Sequence, residues 1–140
     1  MFKGEPSSGV DFFNLLMESE EFNIEMGKLT LAAGRLEAEL IHFYKRKGVD
    51  ENLSRYTLGK LIQYGKNNNL IERNLASALE STCVQRNYIT HNIYALFTEL
   101  IDETMLPKKD LIDTDVLTYT EKAWETRNNL IGLADLIRKN

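Results

Sequence analysis

Three polar side chains stand out by type and spacing: Arg86, Asn87 and, four residues after the asparagine, His91. Residues four apart share a helix face, so Asn87 and His91 are placed to touch one bound group if their segment is helical. Arginine presents a planar fork of donors that matches phosphate oxygens. Histidine can give or take a proton near neutral pH. An asparagine amide beside them can orient either the anion or the imidazole. The set fits acid–base chemistry at an anionic centre.

On a helix advancing 100 degrees per residue, Leu75, Leu79, Ile89, Ile93 and Leu100 fall within about 40 degrees of one line, and Arg86 falls inside that stripe. A buried arginine is costly unless a carboxylate pairs with it or a cleft admits an anion to it. Glu37 and Glu39 are the candidate internal partners. With such a partner Arg86 is a structural ion pair, His91 a satisfied histidine at a helix end and Asn87 a cap. With a cleft, the three form a site, and Tyr94 and Glu37 are the further candidates for contact with a substrate.

Other residues read more plainly. His42 precedes Phe43 near the basic end of its segment and is expected to be solvated or favoured by the helix dipole, as are Lys45, Arg46 and Lys47. Tyr88, Tyr119 and Trp124 are expected in the core of a small bundle rather than stacked on bases. Cys83 is the single cysteine, so no intramolecular disulfide forms, and neither histidine sits in a metal-ligand spacing. No metal and no cofactor is expected.

The elements that must hold these residues follow from periodicity. Gly4, Pro6, Ser7, Ser8 and Gly9 predict a flexible segment over residues 1–10, with one helical domain over 11–140. Val10, Phe12, Phe13, Leu15, Leu16 and Met17 form a dense apolar patch, suited to a short helix packed on a neighbour or to a self-association surface. Leu29, Ala32, Leu36, Leu40 and Phe43, spaced by threes and fours, predict a long helix from about Ser19 to Lys47, stopped by a left-handed Gly48. A shorter helix is expected from Thr57 to the Asn67-Asn68-Asn69 run, and a third from Ile71 or Glu72 toward Leu100. Pro107 falls in a connection. The last helix is expected from Thr114 or Asp115, burying Val116, Ala123, Trp124, Ile131, Ala134 and Ile137. Nothing alternates like a strand, so the fold class is all-α, a four-to-five-helix up-down bundle.

The run Gln85-Arg86-Asn87-Tyr88-Ile89-Thr90-His91-Asn92 resembles the signature of the HEPN superfamily: arginine, a polar residue, a short spacer, then histidine. The likeness extends to a long first helix with Leu36-Glu37 and a short helix opened by Thr57-Leu58-Gly59-Lys60-Leu61, followed by the motif helix and a closing helix. It covers the chain from about Ser19 onward. The resemblance implies a bundle that dimerises with two motifs facing across a cleft and that, in many members, cleaves RNA without metal. Attack by a ribose 2′-hydroxyl on the adjacent phosphorus needs a base, an acid and cationic stabilisation, and two histidines in a symmetric dimer supply the first two. Arg86, Asn87 and His91 are then the catalytic residues. Toxin or anti-phage defence settings, with an antitoxin or other defence protein as partner, come with the resemblance.

This sequence also departs from the pattern. Where toxins silenced by tyrosine modification carry tyrosine two residues after the histidine, Ile93 stands here and Tyr94 comes one later. Asn92, following His91, is a left-handed substitute for the family's small residue, so a bend is expected there. Some members with the motif are not nucleases. The alternative is therefore a non-catalytic module of the same fold binding a nucleotide, RNA or a protein.

Composition bounds these readings. The 140 residues, 43% hydrophobic and 27% charged, suffice for one ordinary core. No apolar run approaches the roughly 20 residues needed to span a bilayer, and the first residues lack a leader's charge pattern, so a cytoplasmic protein with no membrane role is expected. The net charge of -4 excludes a protein that coats nucleic acid indiscriminately. Positive charge is nevertheless concentrated in residues 26–90, which hold ten Lys or Arg against six Asp or Glu.

Overall fold

Ser19 opens the longest helix. Its Oγ accepts the backbone N–H of Phe22 at 3.2 Å, and Glu20 and Glu21 follow in the first turn, where the helix dipole favours negative charge. At the other end Lys45 and Arg46 meet the negative pole, and Gly48 (φ 95°) turns the chain left-handed. There the Val49 N–H reaches the Tyr44 carbonyl at 3.1 Å and the Gly48 N–H that of Lys45 at 3.0 Å, a Schellman closure. A second such closure, on Asn69 (φ 54°) rather than glycine, ends the next helix: the Leu70 N–H bonds the Gly65 carbonyl at 2.8 Å and the Asn69 N–H that of Lys66 at 3.3 Å.

The structure, a computed structural model, describes the backbone of residues 9–97 and 113–140 and the side chains of residues 12–90 and 116–140. It is an all-α helical bundle with five helices among the described residues: α1 (Gly9–Glu18), α2 (Glu20–Arg46), α3 (Leu58–Asn67), α4 (Arg73–Phe97) and α5 (Asp113–Arg138). None is long and apolar enough to cross a membrane. The chain divides into two units, one of residues 1–28 and 86–125, the other of residues 29–85 and 126–140.

Among the described residues, most of the buried side chains lie in the second unit. The α2 stripe predicted from spacing, Leu29, Ala32, Leu36, Leu40 and Phe43, is buried throughout. Thr57 caps α3 by accepting the Lys60 N–H at 3.2 Å, and α3 buries Leu58, Leu61 and Ile62. Tyr44, fully buried, donates its hydroxyl to the Leu61 carbonyl at 2.8 Å, and burial pushes its phenol up to about 12. Gly65 makes this approach possible, because a Cβ there would collide with the Tyr44 hydroxyl and lie 3.2 Å from Ile71 Cδ1. Cys83 is buried on α4 and forms no disulfide, and the Gln85 side chain accepts from Asn129 of α5 at 3.1 Å.

In the first unit Phe12 and Leu16 of α1 are buried with Phe22 and Tyr119, and Phe13, Leu15, Met26 and Val116 pack around them. Phe12 meets Tyr119 edge-on, ring centroids 5.2 Å apart. Of the apolar patch of α1, Phe12 and Leu16 enter the chain's own core, Phe13 and Leu15 are partly buried against it, and Met17 is 59% exposed. Asn23 fixes the entry to α2: its side-chain amide donates to the carbonyls of Leu16 (3.3 Å), Met17 (2.8 Å) and Ser19 (2.9 Å), capping the end of α1.

Several expectations are corrected. Trp124 is 52% exposed, not core, and Val116 and Ile131, expected in the same stripe, are only half-buried. The buried stripe of α5 is Tyr119, Ala123, Thr126, Leu130, Ala134 and Ile137, and Trp124, one residue past Ala123, is rotated out of it. Nor does α4 break after the motif. It continues unbroken to Phe97, and Asn92 has no positive φ, since asparagine tolerates the left-handed region without requiring it. Leu100 and Pro107 lie outside the described residues.

Candidate functional site

The motif lies on α4. Its buried positions, Ala76, Leu79, Thr82, Cys83 and Ile89, recur by threes and fours, and Arg86 occupies the turn between Cys83 and Ile89 on the same stripe. Its guanidinium is half-buried, and Nε is enclosed with no hydrogen-bond partner among the described residues. A polar group shut away from water without a partner is destabilising, the more so on a charged side chain. Glu39, one of the expected carboxylate partners, bonds Arg35 at 3.4 Å instead. Glu37, the other, is half-buried on α2.

Asn87 is exposed, and Tyr88 beside it is 44% exposed rather than core. Thr90 turns its hydroxyl back onto the Arg86 carbonyl at 3.2 Å, a bond within the helix that does not involve the guanidinium. His91 and Tyr94 continue the same helix, and their side chains lie outside the described residues. Helical geometry alone puts position 91 one turn beyond Asn87 on the same face, and position 94 three residues further. The backbone thus carries the three predicted positions on one continuous helix.

Among the described residues, concave regions lie away from Arg86 and Asn87. In the first unit a groove of about 350 Å³ is formed by Ile24, Leu117 and Trp124 with Glu21, Glu25 and Glu121 around them. All three apolar residues are about half exposed. In the second unit a groove of about 780 Å³ runs along α2 and the end of α5, lined by Arg35, Glu39, His42, Lys45, Arg46 and Arg138. Sequence reading took Lys45 and Arg46 for solvated helix-end residues and missed this groove, because Arg138 is remote in sequence. The available signals were the Lys45-Arg46-Lys47 run, which could bind phosphate but was read as a helix-end feature, and the positive balance of residues 26–90. Among the described residues no group of three or more His, Cys, Asp or Glu is placed to hold a metal ion.

No protein-family model, curated protein or solved structure matches the chain.

Proposed function

We propose that the chain is a HEPN-type endoribonuclease that cuts RNA without metal, acting in the cytoplasm as a homodimer whose two Arg86-Asn87…His91 motifs share a cleft. The observation that carries this reading is Arg86: a guanidinium on the core-facing stripe of α4, its Nε enclosed and unpartnered among the described residues, on the same uninterrupted helix as His91. Such a donor is left for an anion that arrives with the substrate.

The chemistry assigns each residue a task. One His91 accepts the proton of the ribose 2′-hydroxyl as its oxygen attacks phosphorus. The bond from phosphorus to the 5′-oxygen breaks, and the other protomer's histidine, charged, gives that oxygen a proton. The products are a 2′,3′-cyclic phosphate and a 5′-hydroxyl end. Arg86 holds the phosphorane oxygens as their charge grows, and Asn87 orients phosphate or imidazole. Tyr94 and Glu37 are the further substrate contacts in this reading. A toxin or anti-phage role, with an antitoxin or defence protein as partner, is the setting the motif implies.

A second reading, a non-catalytic module of the same fold that binds a protein, is favoured by the half-exposed Ile24, Leu117 and Trp124 within an acidic rim. Expression in cells separates the two. The nuclease arrests growth and fragments total RNA within the induction period, and His91→Ala relieves both. Intact RNA and unimpaired growth on high expression of the unmodified chain would overturn the nuclease reading.

A further inference from the structure

The groove along α2 and the end of α5 lies in the second unit, whereas the motif helix from Arg86 onward belongs to the first. Arg35, Glu39, His42 and the Lys45-Arg46 pair recur at intervals of three and four, so they form one stripe along about 16 Å of helix. Arg138 adds a cation from α5. Four permanent cations and a histidine line this groove, against one carboxylate, Glu39, in a chain whose net charge is -4.

The cations are not equivalent. Arg35 is held by Asp135 at 2.7 Å and Glu39 at 3.4 Å, and the bond to Asp135, with Glu39 adding to it, holds its guanidinium in the charged form. Arg46 donates to the Ile137 carbonyl at 3.1 Å and lies over the Phe43 ring at 5.6 Å. Both are oriented before any ligand binds, which lowers the entropy cost of engaging one. Lys45 and Arg138 are exposed and have no ion pair among the described residues. A basic last turn is what a helix end favours by itself. A dipole effect does not account for Arg35, in mid-helix, or for the meeting of two helix ends around one concavity.

We propose that this groove is a second RNA-binding surface, a track that holds the phosphodiester backbone of a single-stranded substrate by charge and not by base. The proposal rests on the nuclease reading, since it supplies the affinity that an acidic protein otherwise lacks for a polyanion. Backbone-tracking grooves of this kind bind in a salt-dependent way, each neutralised phosphate adding about 0.7 to the slope of log affinity against log salt for single strands.

The test uses a labelled single-stranded RNA with 2′-O-methyl riboses, which cannot undergo 2′-hydroxyl attack, and measures binding by fluorescence anisotropy over a salt series. The wild type is compared with a groove variant, Lys45→Gln/Arg46→Gln/Arg138→Gln, and with a control of equal charge change, Lys28→Gln/Lys60→Gln/Arg73→Gln. Thermal melts establish that all three are folded, and cleavage of the unmodified RNA is followed alongside. The expected result is roughly a tenfold or greater loss of binding for the groove variant at low salt, with a salt slope shallower by about 2, and little change in the control. Equal losses in both variants would assign the effect to bulk charge and overturn the groove. So would a groove variant that binds like the wild type, and if it also cuts like the wild type the nuclease reading survives. A wild type that neither binds nor cuts RNA would remove both.

Discussion

Two buried polar atoms, one in each unit, are treated differently. In the second unit, the Tyr44 hydroxyl is fully buried, donates to the Leu61 carbonyl, and sits where Gly65 leaves just enough room for it. In the first, Arg86 occupies a core-facing turn of α4 with Nε enclosed and no partner among the described residues, and half-exposed Ile24, Leu117 and Trp124 line a groove formed by α2 and α5. Sequences that specify a fold satisfy their buried polar groups, and the places where they do not are where function is to be sought. Under the proposed function, that contrast sets Tyr44 apart as structural and Arg86 as the donor an anionic ligand would engage.

Substitutions should separate the two. The largest effect is expected at Gly65, where Gly65→Ala drives a methyl into the Tyr44 hydroxyl and should cost about 2 kcal/mol in urea denaturation. At Gly132, exposed on α5 with open space around it, Gly132→Ala should instead stabilise by about 0.5–1 kcal/mol. Equal behaviour at the two glycines would break the picture of a fitted hydroxyl.

The same hydroxyl predicts a pH dependence. Burial raises the Tyr44 phenol to about 12, so below about pH 10 it is protonated in folded and unfolded chains alike, and its contribution is complete. Between about 10 and 12 the unfolded chain releases the proton first, and stability falls as pH rises. Tyr44→Phe should flatten that alkaline slope. A wild type whose melting temperature is no more sensitive than the variant's across this window would show that the phenol is not shielded.

Smaller effects are expected in the first unit. Asn23→Ala removes the amide that caps α1 and should cost about 1 kcal/mol, with faster hydrogen exchange confined to the α1–α2 junction. Arg86→Met, which keeps the apolar stem and volume, should change stability least, by about 0–1 kcal/mol and in the stabilising direction. A loss of 3 kcal/mol or more would instead identify Arg86 as half of a buried ion pair.

Much of this was legible in the sequence. The α2 stripe and its Gly48 stop, the Thr57 cap and the placement of Arg86 in the α4 stripe all follow from local periodicity and turn chemistry, which neighbouring residues determine. What escaped was either a matter of phase or a matter of distance along the chain. Trp124 looks like core by residue type, and only the phase set by Tyr119, Ala123, Thr126 and Leu130 turns it outward. Asn92 permits a left-handed turn that the chain does not take. The basic groove needs Arg35 beside Asp135 and Arg46 beside Ile137, pairings that no local pattern announces. In the candidate site, the shared face of Asn87 and His91 follows from spacing alone, whereas the enclosure of Arg86 Nε depends on packing that spacing does not report.

The most direct test of the central claim is cleavage of a labelled RNA pool in the presence of a metal chelator by wild type, Arg86→Met and His91→Ala, with equal helical content established by circular dichroism. The account predicts that only the wild type cuts and that its products carry 2′,3′-cyclic phosphate ends. Cleavage by Arg86→Met or His91→Ala at the wild-type rate, or three folded proteins equally inert across the pool, would contradict it.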